Sequence, residues 1–174
     1  STPVEWHLLD TLARDLKRIG RIDRLIGLDS IRGMLTPHAF QLATALGVLR
    51  DGKRAAILAD EVGLGKTIEA GLVIKELIVR GDAARVLIIV PKALVGQWQR
   101  ELLDKFGEAF ATTSDDPDAH VDADRVITTL GKFQRSIADF VGREWDVVLF
   151  DEAHLLANPK SKRRLAASEV PRRW

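Results

Sequence analysis

Apolar residues along the first part of the chain recur at helical spacing. From Val4 to about Ile26, Trp6, Leu8, Leu9, Leu12, Leu16 and Ile19 return at threes and fours, with Arg and Lys between them. A second helix is predicted in "LTPHAFQLATALGVLRDG", with Thr36 as N-cap, Pro37 in the first turn and an end near Asp51-Gly52. Beyond Gly52 the pattern changes. "RAAILAD" is a short apolar run that stops at a glycine-rich turn, and the amphipathic helix "GKTIEAGLVIKELIVRG" follows. "RVLIIV" is uninterrupted, as expected of a strand buried on both faces. Pro91 ends that strand and opens a helix through "ALVGQWQRELLDKF". "DRVITTL" and "WDVVLF" are further strands, separated by a helix in "GKFQRSIADFVG". Residues 108–124 read as a surface loop, with a short strand in "AFATT".

Strands alternating with helices of ten or more residues imply crossover connections and a parallel sheet flanked by helices, an α/β fold. The expected division is a helical leader over residues 1–34 and one lobe over residues 35–174. Ligands of such sheets sit beyond the carboxyl ends of the strands. Two chemically loaded stretches, "DEVGLGKT" and "DEAH", fall at predicted strand ends.

Composition narrows this picture only a little. Hydrophobic residues make up 46% and charged residues 29%, as in ordinary globular chains. A net charge of +1 argues neither for nor against nucleic acid. Residues 160–174 carry six Lys or Arg against one Glu, which suits either phosphate contacts or a solvated helix face. The absence of cysteine excludes disulfides and thiolate metal sites and fits a cytoplasmic protein. No apolar run approaches membrane-spanning length, and the N-terminal stretch lacks a signal-peptide pattern.

The chemistry starts at residues 58–67, "LADEVGLGKT". A phosphate loop turns successive backbone N–H groups toward one concavity. Glycines such as Gly63 and Gly65 permit the turn, and a helix beginning there adds free N–H groups and a positive dipole end. Lys66 would then serve the β- and γ-phosphates of ATP, and the Thr67 hydroxyl would serve Mg²⁺. Asp60 stands where the general pattern G-x-x-x-x-G-K-[ST] has its first glycine. Downstream, Asp151 ends a buried strand, where it can hold Mg²⁺. Glu152 beside it can accept a proton from the water that attacks the γ-phosphate. Gln41 offers a carboxamide matching the adenine N6/N7 edge, although a helical glutamine also fits a surface position. Trp98 and Trp145 lie in apolar surroundings and read as core. His7, His38 and His120 have no partner pattern.

"ILADEVGLGKTIEAGL" together with "DEAH" resembles the superfamily-two helicase-like ATPases of the Swi/Snf branch, in particular the bacterial and archaeal RNA-polymerase-recycling and phage-defence types. In that branch the loop resembles D-E-x-G-L-G-K-T, so Asp60, Glu61, Gly63, Leu64, Gly65, Lys66 and Thr67 are all in register. The resemblance implies a RecA-like P-loop lobe. "PHAFQ" resembles the motif whose glutamine contacts adenine, here Gln41, although this branch often has Gln directly after Pro-His. "IIVPKALVGQWQREL" resembles a motif near the nucleic-acid path, which implies a role for Lys92. "VITTL" resembles one in which Thr128 or Thr129 approaches the phosphate backbone. His154 would couple the ATP site to the opposing lobe.

The resemblance covers roughly residues 35–158. A third motif of Ser/Thr-Ala/Gly-Thr type, and the second RecA-like lobe with its arginines, are not in the sequence. The expectation is therefore the first lobe of a longer ATP-dependent motor acting on nucleic acid, with double-stranded DNA the leading choice. The lobe alone would bind nucleotide and hydrolyse it very weakly, because an arginine finger contributes on the order of 10³–10⁵ in rate. A DEAH-box RNA helicase lobe and a catalytically silent nucleotide-binding scaffold are the alternatives.

Overall fold

The computed structural model describes residues 24–51 and 65–151. Among the described residues, four parallel strands form one sheet: β1 (Val86–Val90), β2 (Ala111–Thr112), β3 (Arg125–Thr129) and β4 (Val147–Phe150). Their order is β2-β3-β1-β4. The expected strand in "RAAILAD" lies outside the described residues.

The register pairs Ile88 of β1 with Ile127 of β3 and with Leu149 of β4. Successive side chains of a strand point to opposite faces. β1 therefore feeds two cores. Val86, Ile88 and Val90 pack with the longer helices on one face. Leu87 and Ile89 pack with Phe133, Phe140 and Trp145 on the other. All five β1 residues are buried, which is why its sequence shows no polar alternation. A one-residue slip would exchange the two sets, so the register is strongly specified.

The helices are α1 (Gly27–Ser30), α2 (Ala39–Asp51), α3 (Lys66–Val79), α4 (Val95–Phe106), α5 (Ala119–Asp122), α6 (Leu130–Arg135) and α7 (Ile137–Val141). α3 and α4 meet closely because Gly71 leaves room for the Phe106 ring, which a Cβ at that position would overlap. α4 stops at Gly107, which takes a left-handed φ of 65°.

The sequence expectations need four corrections. α2 starts at Ala39, not at Thr36-Pro37. Its start is held by Gln41, whose Oε1 accepts from His38 N–H at 2.9 Å in the manner of a capping box. The helix after β1 is preceded by a 3₁₀ turn over Lys92–Leu94. The single helix expected in "GKFQRSIADFVG" is two short ones, broken at Ser136 (φ −117°, ψ 32°). The stretch read as loop carries β2 inside the short strand read in "AFATT", but it also carries α5, on which buried His120 stacks against Phe140 with centroids 4.4 Å apart.

Two buried carboxylates tie the layers together. Glu76 of α3 accepts from Ile26 N–H (3.1 Å), Gly27 N–H (2.7 Å) and Arg80 Nε (2.6 Å). Residues 24–34 thereby dock on the lobe, and Leu25 and Ile31 join its core. Only Gly27–Ser30 of that segment is α-helical. Glu108 accepts from Lys75 Nζ of α3 at 2.7 Å and from the Arg125 guanidinium of β3. Buried charges are tolerated when paired in this way.

Candidate functional site

α3 must begin at the edge of the sheet where the strands end. It finishes at Val79, and Asp82 N–H and Ala83 N–H close the following turn on the Leu77 carbonyl at 2.8 and 3.1 Å. β1 then starts at Val86. Ile68, Leu72 and Ile74 of α3 share a core with Val86, Ile88 and Val90. The helix is about 21 Å long and β1 about 16 Å. A helix whose end lies at the start of β1, and which packs along that strand, has its own first turn at the carboxyl edge.

Gly65 opens α3 in the left-handed region, at φ 93°. A Cβ there would overlap Gln41 Nε2, so glycine is required for both conformation and space. Gln41 is buried at 5% exposure. Its amide nitrogen faces Gly65 while its oxygen holds His38. The first turn has no side-chain cap at its N-cap residue, and Glu69 lies in that turn, buried. Lys66 and Thr67 are half-buried at this start. Backbone N–H groups at a helix N-terminus and a lysine make a fitting surround for phosphate.

Asp151 follows β4 directly. Its N–H donates to the Ile89 carbonyl at 2.9 Å, which extends the β1–β4 ladder by one step. Its Oδ2 accepts from the indole Nε1 of Trp98 at 3.1 Å. Trp98 is a core residue of α4 at 3% exposure, as its sequence setting implied, but it also holds this carboxylate. The general signal for such a bond is the need of a buried indole for an acceptor. Nothing in the sequence names the acceptor, 53 residues away. Trp145 is pure core, with its indole donating to the Phe140 carbonyl at 3.0 Å.

Other predicted residues reach the same edge through their strands. Lys92 is exposed just after β1. Thr129 ends β3, and its hydroxyl caps α6 by accepting from Lys132 N–H at 3.2 Å. Thr128 does not present itself to a partner. It is fully buried, and its hydroxyl is paired with that of Thr113 at 2.8 Å. Alternation along the strand turns one threonine inward and leaves the other at the rim. Asp60, Glu61, Gly63, Leu64, Glu152 and His154 lie outside the described residues.

The oxygen donors brought to this edge, the Thr67 hydroxyl and the Asp151 carboxylate, suit a hard cation such as Mg²⁺. No cluster of three or more His, Asp or Glu stands among the described residues. Mg²⁺ bound through one or two protein oxygens, waters and substrate phosphates needs none. No helix among the described residues is long and apolar enough to cross a membrane.

Residues 39–174 match the SNF2-related domain. The chain is 42% identical over 142 residues to the RNA polymerase-associated protein RapA of Pectobacterium atrosepticum, covering 75% of this chain and 14% of that protein. It is 41% identical over 131 residues to the uncharacterized ATP-dependent helicase YqhH of Bacillus subtilis, covering 73% of this chain and 23% of that protein. The chain thus spans a minor part of the curated relatives it matches. Among solved structures, the Sulfolobus solfataricus SWI2/SNF2 ATPase core in complex with dsDNA superposes with a TM-score of 0.71 at 25% identity. That match covers 80% of this chain and 31% of the other. A parallel sheet with a glycine-opened helix and an aspartate at its carboxyl edge, joined to these similarities, shows that the chain belongs to the SNF2-related family and forms the N-terminal RecA-like lobe of a Swi/Snf-type superfamily-two helicase.

Proposed function

We propose that this lobe binds ATP with Mg²⁺ and, together with a second RecA-like lobe of the same polypeptide, hydrolyses it to drive movement along double-stranded DNA. The observation that carries the reading is the meeting at one sheet edge of the Gly65-opened start of α3 and the strand-end carboxylate of Asp151. The description of one structural neighbour as a complex with dsDNA supports the choice of nucleic acid. In this reading residues 1–34 are a leader and residues 35–174 the lobe, working in the cytoplasm on the nucleoid.

The phosphate and Mg²⁺ roles follow from side-chain chemistry, and those of Lys92, Thr129 and His154 from the family resemblance. The N–H groups at the start of α3, with Gly63 and Leu64 before them, receive phosphate oxygens. Lys66 brings a mobile cation to the β- and γ-phosphates. Gln41 offers adenine its Nε2 donor, since its oxygen already serves His38. Asp60 and Glu61 belong to the same loop. Thr67 and Asp151 would hold Mg²⁺, which would supply charge neutralisation at the phosphates. Glu152 orients the attacking water and takes its proton. His154 links this site to the second lobe, which supplies the arginine. Lys92 and Thr129 face the DNA backbone.

Isothermal titration with a non-hydrolysable ATP analogue and Mg²⁺ tests the core of this reading. A hydrogen bond to a charged group is worth about 1.5–3 kcal/mol, so Lys66→Ala should weaken binding roughly tenfold or more. Equal affinity for wild type and variant would refute the assignment. Comparing duplex DNA with RNA as activators of ATP hydrolysis by the full-length protein tests the substrate. Stronger activation by RNA would favour an RNA helicase instead.

A further inference from the structure

We propose that Trp98 is a positioning residue for Asp151, fixing the carboxylate that receives Mg²⁺. The inference rests on the nucleotide-site reading above and deepens it. Asp151 has its backbone set by the bond from its N–H to the Ile89 carbonyl at 2.9 Å, so the freedom that matters is that of its side chain. Trp98 restrains that freedom through the 3.1 Å bond from Nε1 to Oδ2. An indole N–H can only donate. It therefore engages the carboxylate as an acceptor and never competes with it for a cation.

The tryptophan is itself held. It lies 3% exposed in α4, whose Val95, Leu102 and Phe106 are buried in the same core. A bulky ring with two side-chain torsions loses little further freedom by holding a partner. Phenylalanine in its place would fill most of the volume and bring no donor. The indole thus adds a polar function that packing alone does not require. Groups that orient a metal-binding carboxylate from behind typically alter metal affinity or activity 10–100-fold when removed.

The test is Trp98→Phe, with analogue affinity measured first in EDTA and then across a Mg²⁺ titration. Affinity in EDTA should stay within about twofold of wild type, and the Mg²⁺ midpoint should rise about tenfold. A purely structural role would weaken both conditions alike, and that result would overturn the proposal. An unchanged Mg²⁺ midpoint would overturn it too. Wild-type protein whose analogue binding ignores Mg²⁺ would instead overturn the nucleotide-site reading beneath it. A measurement on unmodified protein guards against a variant that fails to fold. With analogue present, Mn²⁺ in place of Mg²⁺ should broaden the assigned Trp98 indole N–H resonance far more than that of Trp145. A Trp98 resonance that Mn²⁺ leaves unaffected would overturn the proposal.

Discussion

Gly65 and Gln41 should be energetically coupled, and the size of the coupling can be worked out from their geometry. Gly65→Ala places a side chain at φ 93°, which costs about 1–2 kcal/mol for an L-residue. The new methyl group also overlaps Gln41 Nε2, so the carboxamide must swing away. Doing so releases the part-buried His38 N–H from its 2.9 Å bond, a loss of about 0.5–1.5 kcal/mol. The single variant should therefore lose about 1.5–3.5 kcal/mol, the sum of these two costs. In a Gln41→Ala background the collision is gone and that bond is already lost, so the same change should cost only the backbone part. The double variant should be more stable than additivity predicts by about 0.5–1.5 kcal/mol, beyond the 0.3–0.5 kcal/mol scatter of independent sites. Urea unfolding midpoints, with the slope unchanged, measure this. Additive losses would refute the reasoning and mean that Gln41 does not pack against Gly65.

Three further expectations follow from the packing. Gly71→Ala gains about 1 kcal/mol of helix propensity but forces a methyl group into the Phe106 ring, where overpacking costs about 1–3 kcal/mol. The net change should be neutral to destabilising, whereas Gly47→Ala, exposed in α2 with nothing within 4 Å, should stabilise by about 0.5–1 kcal/mol. Thermal melts showing the same gain for both would contradict the packing. Glu76→Ala should cost about 3–5 kcal/mol by taking the carboxylate from Arg80 and leaving the Ile26 and Gly27 N–H donors without it, and trypsin should cut sooner at Arg24 and Arg32. Thr128→Val should cost about 0.5–1.5 kcal/mol and leave DNA affinity alone, while Thr129→Ala should weaken DNA binding and lose about 1 kcal/mol of capping. DNA titrations that reverse the two threonines would refute the assignment of the rim residue.

The strands legible in the sequence were those with a burial pattern strong enough to show. β1 is an apolar run because both of its faces are covered, β3 buries Val126, Ile127 and Thr128 between half-buried ends, and β4 is apolar with Val147 buried and the rest half-buried. Four-residue α5 is too short to impose any period, whereas β2 falls within the strand read in "AFATT". The break at Ser136 left no mark, since serine is tolerated within helices. Glu76 and Glu108 look like solvent-facing charges until folding brings in Ile26, Lys75 and Arg125 from distant positions. The site divides in the same way. Gly65, Lys66, Thr67 and Asp151 are local signals at the ends of elements. The inward turn of Thr128 and the partner of the Trp98 indole depend on tertiary contacts that no spacing encodes.

The bridge from Glu108 to Lys75 and Arg125 has a mechanical consequence. It anchors α3 laterally to β3, while Glu76 pins the same helix to the segment before the lobe. Axial sliding of α3 would break charged contacts on two sides at once. The helix that would grip the phosphates is therefore clamped like a piston rod seized in its housing. In the proposed motor, force generated at its tip would be delivered to the sheet as a whole rather than absorbed by local yielding.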